Sequence, residues 1–127
     1  MIVQRATPGE PPPWAGHLDG SAAVGPLLAA RPGTDTPDVL VATATFEPGS
    51  RTHWHSHDGG QLLVVVAGRG LVAVRDQEPQ EIGAGDTVWT PAGEEHWHGA
   101  TSDGNLTHVA VTWGDTHWHA AAATPVS

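Results

Sequence analysis

The sequence contains no cysteine, which removes disulfides and thiolate metal sites from consideration. It is poor in positive charge. Five Lys and Arg stand against fourteen Asp and Glu, a formal net charge of −9, so neither nucleic acid nor an anionic membrane is expected as a partner. No apolar run approaches the ~18 residues of a spanning helix. The N-terminal MIVQRATPGEPPP has no signal-peptide core, and a cytoplasmic location is expected. A helical period is almost missing as well. With 127 residues the chain can bury one core, and a single domain over residues 1–127 is expected.

What the chain has instead is short apolar and β-branched stretches cut by Gly, Pro and Asp. MIVQR is strand-like, and the Pro-rich stretch that follows makes residues 1–19 an N-terminal arm. Pro11-Pro12-Pro13 should run extended along a surface, with Trp14 as an anchor. Residues 20–30 are small and apolar, and 31–37 read as a loop. VLVATATFE from Val39 alternates as a strand with one face of small side chains. Leu62–Ala67 reads as a buried strand, and Gly68-Arg69-Gly70 predicts a hairpin into residues 71–75. Glu81-Ile82, Thr87–Thr90 and LTHVAVTW up to Trp113 complete the set. Such a pattern argues for an all-β sandwich or barrel with its core over 39–113. Residues 114–127 are a tail expected to fray or to form one helical turn.

Histidine is concentrated in two places. His53, His55 and His57 lie two apart, so on one extended strand their side chains leave by the same face. Asp58-Gly59-Gly60 can bend the chain and return the Gln61 amide towards the same point. The stretch PAGEEHWHG, residues 91–99, repeats the His-x-His spacing. Two separate stretches could therefore converge on one cation.

Here a family pattern becomes visible. Gly49, five residues, His55, one residue, His57, three residues, Gln61, six residues, Gly68 resembles the first cupin motif, with glutamine in the usual place of glutamate. Gly85, five residues, Pro91, one residue, Gly93, two residues, His96 resembles the second, whose usual final asparagine falls on Ala100. The resemblance implies a cupin barrel, a double-stranded β-helix or jelly roll. It also implies one divalent metal held by His55, His57, Gln61 and His96. Imidazoles and an amide oxygen suit a first-row ion, and four protein ligands leave positions open on a six-coordinate metal. The donors alone leave Mn²⁺, Fe²⁺, Zn²⁺, Ni²⁺ and Co²⁺ open, and a narrower resemblance puts Mn²⁺ first.

Gln61 shapes the chemistry. A neutral amide leaves the ion's charge uncompensated, which strengthens it as a Lewis acid, favours small anionic ligands and suits oxygen activation less well. The stretches FEPGSRTHWHSHDGGQ, GDTVWTPAGEEHWHGA and LTHVAV, over about the C-terminal two-thirds of the chain, are similar to the small bacterial cupin hydroxynitrile lyases. Those look like manganese enzymes that cleave or make aromatic cyanohydrins. The resemblance implies that His108 is a general base on a small-molecule substrate, a role suited to neutral imidazole. Ala110 and Thr112 share its strand face and leave room for substrate. His98, two residues beyond a ligand, is read either as an inward acid or base or as a strand-edge hydrogen-bonding residue.

Two other functions stay open, a cupin dioxygenase using Fe or Mn and a non-catalytic small-molecule binder, because one barrel carries many chemistries. His53 is read as a supporting or surface residue, His117-Trp118-His119 as an interaction or tail feature, and His17 carries no signal. The tryptophans are read as core and subunit contacts, with Trp89 or Trp97 facing an aromatic substrate. A homo-oligomer, dimer or tetramer, is expected on family grounds, with the N-terminal arm lying across a neighbour.

Overall fold

The computed structural model describes residues 3, 5–25, 28–29 and 39–121. The strands in chain order are β1 Leu18–Asp19, β2 Ala22–Val24, β3 Leu28–Ala29, β4 Val39–Phe46, β5 Arg51–Thr52, β6 His55–His57, β7 Gln61–Val74, β8 Gln80–Gly83, β9 Thr87–Thr90, β10 His96–Ala100, β11 Leu106–Trp113 and β12 Thr116–Trp118. A 3₁₀ turn, Ala15–His17, is the only helical element among the described residues, and no described helix is long and apolar enough to cross a membrane. The loop expected over 31–37 and most of MIVQR lie outside the described residues.

Every pairing is antiparallel, and two sheets curl towards each other. One runs β9, β7, β11, β4 and then β2 and β3; the other runs β8, β7, β10, β5 and β1, with β6 and β12 attached through β10. β7 belongs to both. Its first half pairs with β9 and β11 and its second with β8 and β10. The hairpin expected at Gly68-Arg69-Gly70 is therefore replaced by a bend within one strand of 14 residues. Gly68 has φ 78°, and a Cβ there would collide with the Asn105 carbonyl oxygen. A residue without Cβ can thus turn the corner without breaking the ladder.

Alternation decides what faces inward. β4 pairs with β11 so that Phe46, Ala44, Ala42 and Leu40 stand opposite Leu106, His108, Ala110 and Thr112. β7 adds Val65, Leu63 and Gln61 beside the same row, and in the second sheet His96, His98 and Ala100 stand opposite Val74, Val72 and Gly70. The rows begin apolar at one end, where Phe46, Leu106 and Val65 are at most 1% exposed and pack with Ala44, Ile82 and Ala100. Each fully buried Phe or Leu stabilises the fold by roughly 1.5–3 kcal/mol. The rows finish polar at the other end.

The N-terminal arm packs on its own barrel: Trp14 stacks 6.1 Å from Phe46 and lies tilted 6.1 Å from Trp118, and Glu10 forms a bridge to Val24. The expectation for the C-terminal tail needs correcting over residues 114–121; residues 122–127 lie outside the described residues. Residues 114–121 do not fray or turn helically, because β12 pairs with β6 in the register Thr116↔His57, His117↔Ser56 and Trp118↔His55.

Candidate metal centre

Two strands bring the four histidines together. β6 supplies His55 and His57, β10 supplies His96 and His98, and the register His96↔His55 joins the two strands. The chain breaks its ladder at His53 and Trp54, so His53 is not on one strand with His55 and His57. It lies at the surface, 3.4 Å from Asp19 Oδ1. Ring centroids are 4.2 Å apart for His55 and His96, 5.0 Å for His55 and His57, and 5.2 Å for His57 and His96. All three rings are buried, as are Gln61, His98 and His108.

The hydrogen bonds show which nitrogen each ring aims inward. His55 Nδ1 lies 2.8 Å from the His53 carbonyl, His96 Nδ1 3.0 Å from the Glu94 carbonyl, and His57 Nδ1 2.8 Å from Thr116 Oγ1. Both carbonyls can only accept, so His55 and His96 carry their proton on Nδ1 and keep a lone pair on Nε2. His57 Nε2 is buried with no partner among the described residues. Gln61 Nε2 donates to Thr112 Oγ1 at 2.9 Å, which turns the amide oxygen towards His96 Nε2 at 3.2 Å. His96 therefore faces an acceptor at each nitrogen with one proton to give. A second proton is opposed by burial, which lowers its pKa. A cation between the Nε2 lone pair and the amide oxygen removes the conflict. These residues fit a metal.

His98 complicates the donor set. His55, His96 and His98 also bring one ring nitrogen each to within 4.8 Å of one another. His98 Nδ1, however, lies 3.2 Å from His108 Nε2, whereas the inward nitrogen of His57 forms no hydrogen bond among the described residues and has the Gln61 amide beside it. Burial is the first cause of every pKa shift here. It brings His57 and His108 down to about 4 and holds His55 and His98 well below the usual imidazole value. All of these rings are neutral near pH 7, the form that ligates metals and accepts protons.

His55, His57, Gln61, His98 and His108 line a cavity of about 100 Å³ whose other walls include Ala42, Ala44, Ala110, Trp14 and Trp118, while His96 stands behind His55 and His57 and is not on its wall. Of the chain's fourteen carboxylates, none is among its described lining residues. A larger open groove of about 710 Å³ along β8 and β9 carries Glu78, Glu81, Asp86 and Glu94 but only His96 of the cluster. Convergent donors mark the smaller cavity as the site.

Trp97 is buried in a small core cluster with Ala73, as the core reading expects, and neither it nor Trp89, the alternatives for facing a substrate, lines the cavity. Trp89 is 56% exposed and sits against Trp113. Trp97 pairs with Ala73 on the face away from the cavity and lies under Arg51. Trp14 and Trp118 take that place instead, and His117 points outward to Asp58 at 2.7 Å. Thr112 and Thr116, which hold Gln61 and His57, carried no signal beyond their strand alternation.

The cupin domain model matches residues 42–112 of this chain. A protein of Granulicella tundricola named (R)-mandelonitrile lyase is 42% identical over 110 residues, 87% of this chain and 79% of that protein. The structure of a cupin-like protein from Thermotoga maritima superposes with a TM-score of 0.79 at 31% identity, covering 97% of this chain and 91% of its own. A predicted oxalate decarboxylase from the same organism has a TM-score of 0.74 at 24% identity, over 91% and 100% of the two chains, and shows the fold alone. The matched segment runs from β4 to Thr112 and contains both histidine pairs, the glutamine and His108, and this chain belongs to the cupin family.

Proposed function

We propose that this protein is a metal-dependent cupin lyase that cleaves and forms aromatic hydroxynitriles, holding Mn²⁺ through His55, His57, Gln61 and His96. One observation carries the reading: a cavity with buried neutral imidazoles and an amide oxygen turned inward, and no carboxylate in its described lining. The likeness to a mandelonitrile lyase over 87% of the chain supports the substrate class. When bound, the ion supplies a positive charge that stabilises a small anion or a developing oxyanion.

The chain's own residues do the rest. Ala42, Ala44 and Ala110 leave room on one wall, and Trp14 and Trp118 offer flat apolar surface for an aryl group. His108 accepts the hydroxyl proton at Nδ1, the ring nitrogen with no partner among the described residues, because its Nε2 is bonded to His98 Nδ1. As the C–C bond to the nitrile breaks, its electron pair leaves with cyanide and the hydroxyl oxygen becomes the carbonyl oxygen. His98 Nδ1 accepts from His108 Nε2–H at 3.2 Å and steadies the protonated ring until cyanide takes the substrate proton and leaves as hydrogen cyanide. Burial makes His108 a weak base at about 4, so it holds the proton briefly and returns it readily.

The test is benzaldehyde release from mandelonitrile by the Mn²⁺-loaded protein, beside oxygen uptake with catechol-like substrates. Aldehyde well above background, without oxygen uptake, is the expected result. No aldehyde removes the lyase reading, and oxygen uptake replaces it with a dioxygenase.

A further inference from the structure

We infer that β12 is part of the metal centre, with Thr116 as a positioning residue that aims His57. This rests on the metal reading above. Two of the three rings are held by their own stretch of chain: His55 by the carbonyl two residues before it, and His96 likewise. His57 is the exception. Its Nδ1 is held by a side chain 59 residues away, Thr116 Oγ1 at 2.8 Å.

The placement of that hydroxyl follows from the strand. β12 pairs with β6 in the register Thr116↔His57 and Trp118↔His55, and the ladder is extended by Asp58 N–H to the Asp115 carbonyl at 3.0 Å and His119 N–H to the Trp54 carbonyl at 2.8 Å. Directly paired residues share a face, so Thr116 and Trp118 point where His57 and His55 point. Trp118 lies 4.7 Å from the His55 ring and stacks at 4.6 Å on His17, which pins the strand from outside.

A hydroxyl can accept or donate, but only one choice suits His57. A proton on Nε2 would have only the Gln61 amide beside it, whose oxygen already faces His96 Nε2 at 3.2 Å, and no hydrogen bond is formed there, a costly state. With Nδ1–H donated to Thr116, the Nε2 lone pair is left free on a ring that stands 5.0 Å from His55 and 5.2 Å from His96. Partners that fix a ligating imidazole in this way typically change metal affinity 10–100-fold when removed. β12 lies beyond residue 112, where the family match ends, so the cupin motifs alone do not supply this support.

The experiment measures Mn²⁺ affinity by chelator competition for the full chain, Thr116→Val and Thr116→Ser. Long-range ¹H–¹⁵N spectra of the imidazoles are recorded on the metal-free proteins. Thr116→Val should bind Mn²⁺ about 10–100-fold more weakly, with His57 losing its single Nδ1–H form, and Thr116→Ser should stay near the wild type. Equal affinity in the valine variant, or equal loss in both variants, overturns the role of the hydroxyl. If the valine variant does not fold, the wild-type spectrum decides: a His57 proton on Nε2 overturns the inference, and one on Nδ1 upholds it. A wild-type protein that binds no Mn²⁺ overturns the metal centre itself, a failure distinct from a Thr116→Val protein that binds as well as the parent.

Discussion

At one end of the barrel the inward rows terminate in Phe46, Val65, Ala100 and Leu106; at the other the same rows terminate in Leu40, Gln61, His96 and Thr112. Both ends are buried apart from Leu40 at the rim, yet they act in opposite directions. The apolar end gains stability from every carbon removed from water. The histidine end loses some, because neutral imidazoles are kept from charging and nitrogens such as His57 Nε2 form no hydrogen bond among the described residues. One fold thus stabilises itself at one end and holds reactive groups ready at the other.

Replacing His108 by Ala separates the two ends most sharply. Turnover of mandelonitrile should fall by about 10²–10⁴-fold, while Mn²⁺ content by elemental analysis stays that of the parent. Retained turnover would remove His108 as the base. Phe46→Ala is the converse. Truncating a ring that is 0% exposed should cost about 3–5 kcal/mol in urea unfolding, with Mn²⁺ stoichiometry kept in the folded protein. Loss of metal at unchanged stability would mean that the two ends are not separable.

Acid should act on the histidine end alone. In the unfolded chain these imidazoles titrate near 6.5, and in the folded metal-free protein burial brings His57 and His108 to about 4. Between those values the unfolded state binds more protons, so stability is complete above about 6.5 and is lost as pH falls towards 4. Each such group contributes on the order of 3 kcal/mol across that window. Urea midpoints should drop steeply from pH 7 to pH 4.5, less steeply in His108→Ala; a flat profile would show that these rings are not held neutral. Trp118→Ala should have the smallest effect, a several-fold rise in KM for an aryl hydroxynitrile with a smaller change for an alkyl one. Equal changes for both would show that the indole does not contact the aryl group.

Much of this was legible in the sequence. Alternation in VLVATATF and LTHVAVTW fixes which side chains face inward, and the spacing of His55, His57, Gln61 and His96 survives as proximity in space. The corner in β7 was hidden because Gly68-Arg69-Gly70 looks the same whether a strand turns back or merely bends; only pairing with β8 and β10 decides. β12 was hidden for a related reason. Three residues carry too little pattern to announce a strand, and its partner β6 is far away in the chain. The fate of the tryptophans turned on the same facts: Trp97 alternates with two inward histidines and so must face away from the cavity, and Trp118 faces in only because β12 exists.

The most direct test is anomalous scattering from Mn²⁺-soaked crystals. The expected map has one peak per chain, roughly 2 Å from Nε2 of His55, His57 and His96 and from Oε1 of Gln61. A peak bound by His98 in place of His57, or no peak among these side chains, would contradict it.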